Sequence, residues 1–361
     1  MSRKGKVLVA MSGGIDSTVA AVMLQQQGYD VIGITMKTWD YATSGGSSKE
    51  TGCCSLDSIN DARQAAVDFD FPHFIIDIRD EFGDFVIDNF VDEYLAGRTP
   101  NPCILCNTHI KWEALLRRAD ALGCDFIATG HYARLLNDGT RYWISKARDE
   151  AKDQSYVLWG VSQICLKRTI FPLADYLKPQ VRDFAIKLGY TALANKSESY
   201  EICFVPDNDY RSFLKRKVKD MDKKVGLGRF VDVHGKLLGE HKGYPFYTIG
   251  QRKGLDLAVG SPLYVMEINP DTNTVVLGEE EDLKKQSMIV KDCNLMKYEC
   301  LPDKIEALTK IRYKDPGAIS TISGDESEVK VDFHQGVKAI APGQSAVFYE
   351  GIDMIGGGII Q

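Results

Sequence analysis

Apolar residues in the first third of the chain gather into short, β-branched runs at residues 6–11, 31–36, 73–78 and 126–129. Between them lie amphipathic stretches at 16–27, 56–69, 81–95 and 108–122, with apolar positions at helical spacing. Strands and helices alternating in this way predict a doubly wound α/β layer, a parallel sheet with helices on both faces. Ligands of such sheets bind beyond the carboxyl ends of the strands, which is where Ser12, Met36 and Gly130-His131 fall. Pro179-Gln180-Val181 is expected to open another helix, ending at Gly189. After Glu201 the texture changes. Residues 210–224 read as one basic helix, and short alternating segments with frequent Gly and Pro then run to the end, predicting an all-β remainder. The expected division is an α/β domain over 1–205, a small central domain over 206–280 and a C-terminal β-barrel over 281–361. The Ser/Gly-rich piece 43–52 reads as a mobile loop able to serve as a lid.

The first strand feeds Ser12-Gly13-Gly14-Ile15-Asp16-Ser17, after which Asp16 or Ser17 is expected to cap a helix that stops at Gly28. Two glycines let backbone N–H groups approach an anion without a Cβ in the way, and a helix N-terminus adds donors and a positive dipole end. The loop has neither the Lys of a Walker A motif nor the three-glycine spacing of a dinucleotide fingerprint. SGGxDS resembles the pyrophosphatase loop (PP-loop) of ATP-dependent adenylating enzymes. That resemblance implies an adenine nucleotide hydrolase-like fold and cleavage of ATP between its α and β phosphates. A tight turn without a ligand is the plain alternative.

A length of 361 residues exceeds what one core usually organises, while 44% hydrophobic and 26% charged residues are ordinary globular values. No apolar run approaches the roughly 18 residues of a membrane span, and the N-terminal apolar stretch is short for a signal peptide, so a cytoplasmic protein without a membrane partner is expected. Nine cysteines, an odd number, argue against a secreted disulfide framework and for reduced thiols. The net charge of −6 alone points away from nucleic acid. Its distribution qualifies that reading: residues 57–93 are strongly acidic, whereas 210–224 carry seven Lys or Arg and can meet a polyanion.

Asn101-Pro102-Cys103-Ile104-Leu105-Cys106 sits between two predicted helices, with Pro100 and Pro102 ending the first and holding the loop extended. Cys106 then precedes a helix starting near Asn107, a position that favours thiolate. Cys203 supplies a thiol from a distant part of the chain. Sulfur transfer needs such a pair, one thiolate carrying a sulfane sulfur and a second resolving the sulfur–sulfur bond. The same residues admit another reading, an iron–sulfur cluster with one open iron held by Cys103, Cys106 and Cys203. Cys124, Cys165, Cys293 and Cys300 read as small buried hydrophobes, and Cys53-Cys54 as a surface-loop pair.

Taken in order, AMSGGIDS (10–17), AGRTPNPCILCN (96–107), ATGHYAR (128–134), KDQSYVL (152–158), EICF (201–204), TIGQRKGL (248–255) and APGQSAVFYEG (341–351) resemble the bacterial tRNA-specific 2-thiouridylase family over essentially the whole chain. The resemblance implies ATP-dependent adenylation of the C2 oxygen of a wobble uridine, followed by sulfur transfer from a cysteine persulfide. It implies ATP binding by Ala10, Met11, Ser12, Gly13, Gly14, Ile15, Asp16, Ser17, Met36 and Gly130, with Asp16 near magnesium and pyrophosphate. Cys203 would carry the persulfide and Cys106 would resolve it, the two able to form a disulfide. Asn101, Pro102 and Cys103 would lie against the target base. His131, Lys152, Asp153, Gln154, Arg312, Tyr313 and Gln344 would contact tRNA. A sulfur-donor or sulfur-relay protein is the second implied partner. Cys103 stands where a common form of the motif has Asp, which strengthens the cluster alternative. The rival classes are a different PP-loop enzyme acting on a small molecule, which leaves both cysteines unused, and a non-catalytic RNA-binding or iron–sulfur protein, which leaves SGGIDS idle.

Overall fold

The β-branched runs become strands β1 (Lys6–Ala10), β2 (Asp30–Lys37), β3 (His73–Asp77) and β4 (Phe126–Ala128), followed by the hairpin of β5 (Arg134–Asn137) and β6 (Tyr142–Ser145) and by β7 (Thr169–Ile170). This is a computed structural model, described over residues 4–39, 55–196, 202–205, 207–257 and 260–361. The expected loop at 43–52, the pair Cys53-Cys54 and Glu201 lie outside the described residues. Strands β3-β2-β1-β4-β7 form, in that order, one parallel sheet. Val7, Leu8 and Val9 have no exposed surface, as expected for a central strand covered on both faces. The chain leaves β1 toward β2 and β3, then returns to β4 on the other side. The carboxyl ends of β1 and β4 therefore flank the switch point where α/β sheets bind ligands.

The helices Ile15–Gln26 and Leu56–Asp68 share a core with the sheet, in which Ala21, Leu24, Ala62 and Ala65 meet Val7, Val9 and Val31. Lys178–Lys187, the helix expected after Pro179, packs Val181 and Ala185 against Ile15 and Val19. Two expected helices differ in detail. The stretch foreseen at 81–95 comes as Arg79–Phe82, a wide π-type turn at Gly83–Ile87 and then Asp88–Leu95. The helix foreseen at 108–122 starts early, as Pro102–Leu105, widens to π geometry over Cys106–Ala114 and ends as Leu115–Ala121. Pro102 opens this helix because a first helical residue needs no N–H donor and its φ is already helical.

The chain divides into two compact units: Met1–Val86 with Cys103–Asn208 and Ile352–Met354, and Ile87–Pro102 with Asp209–Gly351 and Ile355–Gln361. This cut differs from the expected boundaries, because Phe90 packs edge-on to Phe213, Tyr94 stacks on Tyr210 and Tyr244 Oη donates to the Leu95 carbonyl. In the second unit the basic stretch 210–224 is not one helix. It breaks between Tyr210–Lys217 and Met221–Val225, where Asp220 takes a left-handed φ of 55°. Strands β8 (Gly228–Asp232), β9 (Leu237–His241), β10 (Tyr264–Asn269) and β11 (Thr274–Gly278) form a sheet in the order β10-β11-β8-β9. The last six strands, β12 (Lys284–Leu295), β13 (Ile305–Lys310), β14 (Ala318–Gly324), β15 (Glu328–Lys338), β16 (Ser345–Glu350) and β17 (Asp353–Ile360), run β12-β15-β14-β13-β16-β17. Pairing of β12 with β17 closes them into a barrel around Val290, Ile322, Val331 and Phe348. Among the described residues no helix is long and apolar enough to cross a membrane.

Candidate active site

The Ser12–Ser17 loop leaves β1 at the switch point and closes on itself. Ser17 Oγ accepts from the Ser12 N–H at 3.1 Å and donates to the Gly14 carbonyl at 3.1 Å. The helix N-cap is Gly14, in extended conformation with no side-chain cap, and not Asp16 or Ser17 as expected. Both lie inside the first turn, where the Ser17 side chain ties the loop together. Gly13 has φ +68°, and a Cβ there would fall 1.9 Å from the Ser58 carbonyl oxygen, so the start of helix Leu56–Asp68 presses directly on the loop. Gly130, after β4, is as constrained: its Cβ would lie 2.7 Å from Asp16 C and Ser17 N. Both contacts require glycine. Met36, at the carboxyl end of β2, joins the same edge of the sheet.

Asp16 is held by two residues that the sequence reading missed. Lys178 Nζ lies 2.7 Å from both carboxylate oxygens, and Tyr132 Oη donates to Oδ1 at 2.8 Å. Lys178 is only 4% exposed and Tyr132 only 2%. The signal for Lys178 was present in the sequence as an anomaly, a cation in the first turn of a helix, where the dipole disfavours it. Tyr132 is in turn fixed by Gln154, which accepts the Tyr132 N–H on Oε1 at 3.0 Å and donates its own N–H to the Tyr132 carbonyl at 2.8 Å. Asp153 accepts from the N–H groups of Ala147 and Ser155 and from Ser155 Oγ. Gln154 thus holds Tyr132, a partner of Asp16, while Asp153 secures the turn between Ala147 and Ser155, beside the half-buried Lys152.

The cysteine segment departs from expectation. Since the helix starts at Pro102, Cys103 occupies its first turn and Cys106 lies a turn further in, so the N-terminal dipole argument belongs to Cys103. Even there burial wins. Cys103 reaches solvent but is densely surrounded by protein, which raises its thiol pKa against the opposing pull of Lys111. Burial also pushes His131 well below the ordinary histidine value, again with Lys111 as the second influence. His131 Nδ1 meets Thr129 Oγ1 at 2.9 Å, and its ring lies 5.4 Å from that of Trp112. Cys203, half-buried, sits in a turn anchored by Phe204, whose ring meets Phe82 edge-on at 5.8 Å. The Arg79–Phe82 turn also packs on the Cys106–Ala114 helix, so one element backs both cysteine segments. Among the described residues no group of three or more His, Cys, Asp or Glu is arranged to hold a metal ion, and Cys103, Cys106 and Cys203 do not form such a set. Cys124, Cys165 and Cys293 are buried as expected, but Cys300 is exposed.

Within the second unit, Gln344 Nε2 donates to the carbonyls of Thr99 and Pro100 at 2.9 and 3.1 Å, which ties the barrel turn to the loop bearing Asn101. Arg312 Nη2 donates to the carbonyls of Lys338 and Ala339, while Tyr313 beside it is 41% exposed.

Known proteins resemble this chain along its full length. Residues 5–207 match the tRNA methyl transferase HUP domain, 211–279 the tRNA methyl transferase PRC-barrel domain and 285–360 the aminomethyltransferase beta-barrel domain. The tRNA-specific 2-thiouridylase MnmA of Cytophaga hutchinsonii is 62% identical, covering 100% of this chain and 98% of that protein. The proteins of the same name from Amoebophilus asiaticus and Salinibacter ruber are 59% and 56% identical, over 99% and 100% of this chain and 96% and 95% of their own lengths. A glycine loop at the switch point, thiol segments backed by one helical turn, and identity sustained through all three matched regions lead to one conclusion: the chain belongs to the tRNA-specific 2-thiouridylase family.

Proposed function

We propose that this protein is a cytoplasmic tRNA 2-thiouridylase that adenylates the C2 oxygen of a wobble uridine with ATP and then replaces that oxygen with sulfur. The observation carrying this reading is the loop, where Gly13 and Gly130 admit no side chain and Asp16 is already oriented at a helix N-terminus. The C2 oxygen is a poor leaving group, so it first attacks the α-phosphate and pyrophosphate departs. N–H groups of residues 10–17, with Met36 and Gly130, hold the nucleotide and stabilise charge on its phosphates. A magnesium ion fits this site, since magnesium is commonly held by one or two carboxylates together with substrate phosphates, and Asp16 supplies the carboxylate. When bound, it would neutralise phosphate charge. An iron–sulfur cluster does not fit the described donors, and no step is drawn through one.

The second half belongs to the thiols. The terminal sulfur of a Cys203 persulfide adds at C2 and AMP leaves, giving a C2–S–S–Cys203 adduct. The Cys106 thiolate then attacks Cys203 Sγ, which releases 2-thiouridine and leaves a Cys106–Cys203 disulfide for a thiol reductant to reset. Methyl transfer, the wording of the matched domain descriptions, has no use for a pyrophosphate cradle. An anticodon base is single-stranded and enters the crevice at modest cost. In this reading Asn101, Pro102 and Cys103 face the base, while His131, Lys152, Asp153, Gln154, Arg312, Tyr313 and Gln344 border the RNA. A sulfur-relay protein charges Cys203, and the functional division is 1–205, 206–280 and 281–361. Purified protein given tRNA, ATP, magnesium and a persulfide donor should form 2-thiouridine and pyrophosphate together, read by nucleoside mass spectrometry and phosphate assay. Thiouridine formed without ATP would overturn the proposal.

A further inference from the structure

Lys178 occupies a position that costs stability in two ways. Its ammonium is buried, and an ion pair taken out of water is weak evidence for stability because desolvation offsets attraction. It also stands at the first position of the Lys178–Lys187 helix, the positive end of the dipole. The surroundings nevertheless fix it firmly. Its backbone N–H donates to Asp149 Oδ2 at 2.8 Å, its Nζ lies 5.7 Å from the Tyr132 ring centroid, and both Asp16 oxygens are 2.7 Å away. Four elements therefore converge to bring one buried cation to the mouth of a loop built for phosphate.

We propose that Lys178 is a phosphate-binding residue of the adenylation step, held in place by Asp16 until the polyphosphate of the nucleotide arrives. The inference rests on the nucleotide reading given above and adds to it the cation that SGGIDS itself lacks. A Walker A loop carries its lysine within the motif, whereas here the ammonium comes 162 residues later, from the helix after β7. The loop alone would present Asp16, a negative charge, to a polyanion. Lys178 cancels that charge, and the arriving phosphate offers the ammonium a second acceptor. Tyr132 keeps the carboxylate oriented while the ammonium shifts its allegiance.

The test is a double-variant cycle read by calorimetric binding of inorganic pyrophosphate in EDTA, so that no divalent ion bridges protein and ligand. Lys178→Met keeps the length of the stem and removes the charge. It should weaken binding by about 10- to 100-fold, the range of one charge-assisted hydrogen bond. Asp16→Asn should bind as tightly as wild type or tighter, because repulsion is removed and the ammonium is released. The double variant should bind as weakly as Lys178→Met, and having no stranded charge it keeps the fold, which its thermal midpoint reports. If Lys178 serves only to neutralise Asp16, the double variant recovers wild-type binding, and that result overturns the inference. Equal binding by Lys178→Met and wild type overturns it as well. A wild-type protein that binds neither pyrophosphate nor ATP overturns instead the nucleotide reading on which it stands.

Discussion

Replacing Gly13 by Ala tests whether the phosphate loop and the start of the Leu56–Asp68 helix form a single packed unit. The new Cβ would lie 1.9, 2.5 and 2.6 Å from O, C and Cα of Ser58, all backbone, so no side chain can rotate aside and the loop or the helix must move. The residue would also hold φ +68°. Left-handed geometry costs about 1–2 kcal/mol for a residue with a Cβ, and forced overpacking adds about 1–3 kcal/mol. The expected loss is thus about 2–5 kcal/mol. Gly28→Ala is the matched control, since its φ is +93° but nothing lies within 4 Å of its Cβ, leaving the backbone cost alone. Hydrogen exchange over Ile15–Gln26 and Leu56–Asp68 reads local stability, and calorimetry reads ATP affinity. Gly13→Ala should loosen both helices and lose ATP binding, while Gly28→Ala should loosen only the first and keep ATP. If the two variants behave alike in both assays, the account of the loop is refuted.

The other expectations are compact. Asp16→Asn should fold and bind nucleotide yet release no pyrophosphate with tRNA and magnesium present, because an amide is a weak magnesium partner; wild-type release removes Asp16 from the chemistry. Cys106→Ser and Cys203→Ser should each bind ATP and tRNA but form no thiouridine by mass spectrometry of digested tRNA, and wild-type thiouridine in either variant removes that cysteine from the mechanism. Replacing Lys215, Arg216, Lys217 and Lys219 together by Gln should lower tRNA affinity and flatten its log–log salt dependence by about 0.7–0.9 for each phosphate no longer neutralised; an unchanged slope would exclude these side chains from the RNA contact. His241 packs against the Phe230 and Tyr247 rings, which also meet each other, and its desolvation lowers its pKa to about 4. Between the unfolded value of about 6.5 and about 4 the unfolded chain binds the extra proton, so this histidine should remove up to about 1.4 kcal/mol of stability per pH unit as pH falls. His241→Phe should flatten that acid limb in urea titrations, and an unaltered limb would contradict the assignment.

The sheet was legible because β1, β2 and β4 carry largely apolar runs ending at Ser12, Met36-Lys37 and Thr129-Gly130, and a buried parallel strand leaves that imprint. The loop was legible because its glycines and its position between strand and helix are local. Contacts that close over long separations left weaker traces. Nothing near Asp16 announces Lys178 or Tyr132, and Gln154, expected at the tRNA, gives no sign in the sequence of its two hydrogen bonds to Tyr132. The cysteine helix was misjudged by one turn because Pro102 was read as a barrier, although proline both ends and opens helices. The break in the basic helix rests on the left-handed Asp220, which composition does not reveal. The grouping of residues 87–102 with the second unit depends on aromatic pairs such as Tyr94 with Tyr210, formed by residues far apart in sequence.

The central claim is that the uridine C2 oxygen itself attacks ATP before sulfur arrives. An anticodon stem-loop RNA carrying oxygen-18 at C2 of the wobble uridine, incubated with the enzyme, ATP and a persulfide donor, reports that step directly. The account predicts one oxygen-18 in the AMP for each 2-thiouridine formed and none in pyrophosphate. Thiouridine accompanied by unlabelled AMP would contradict it.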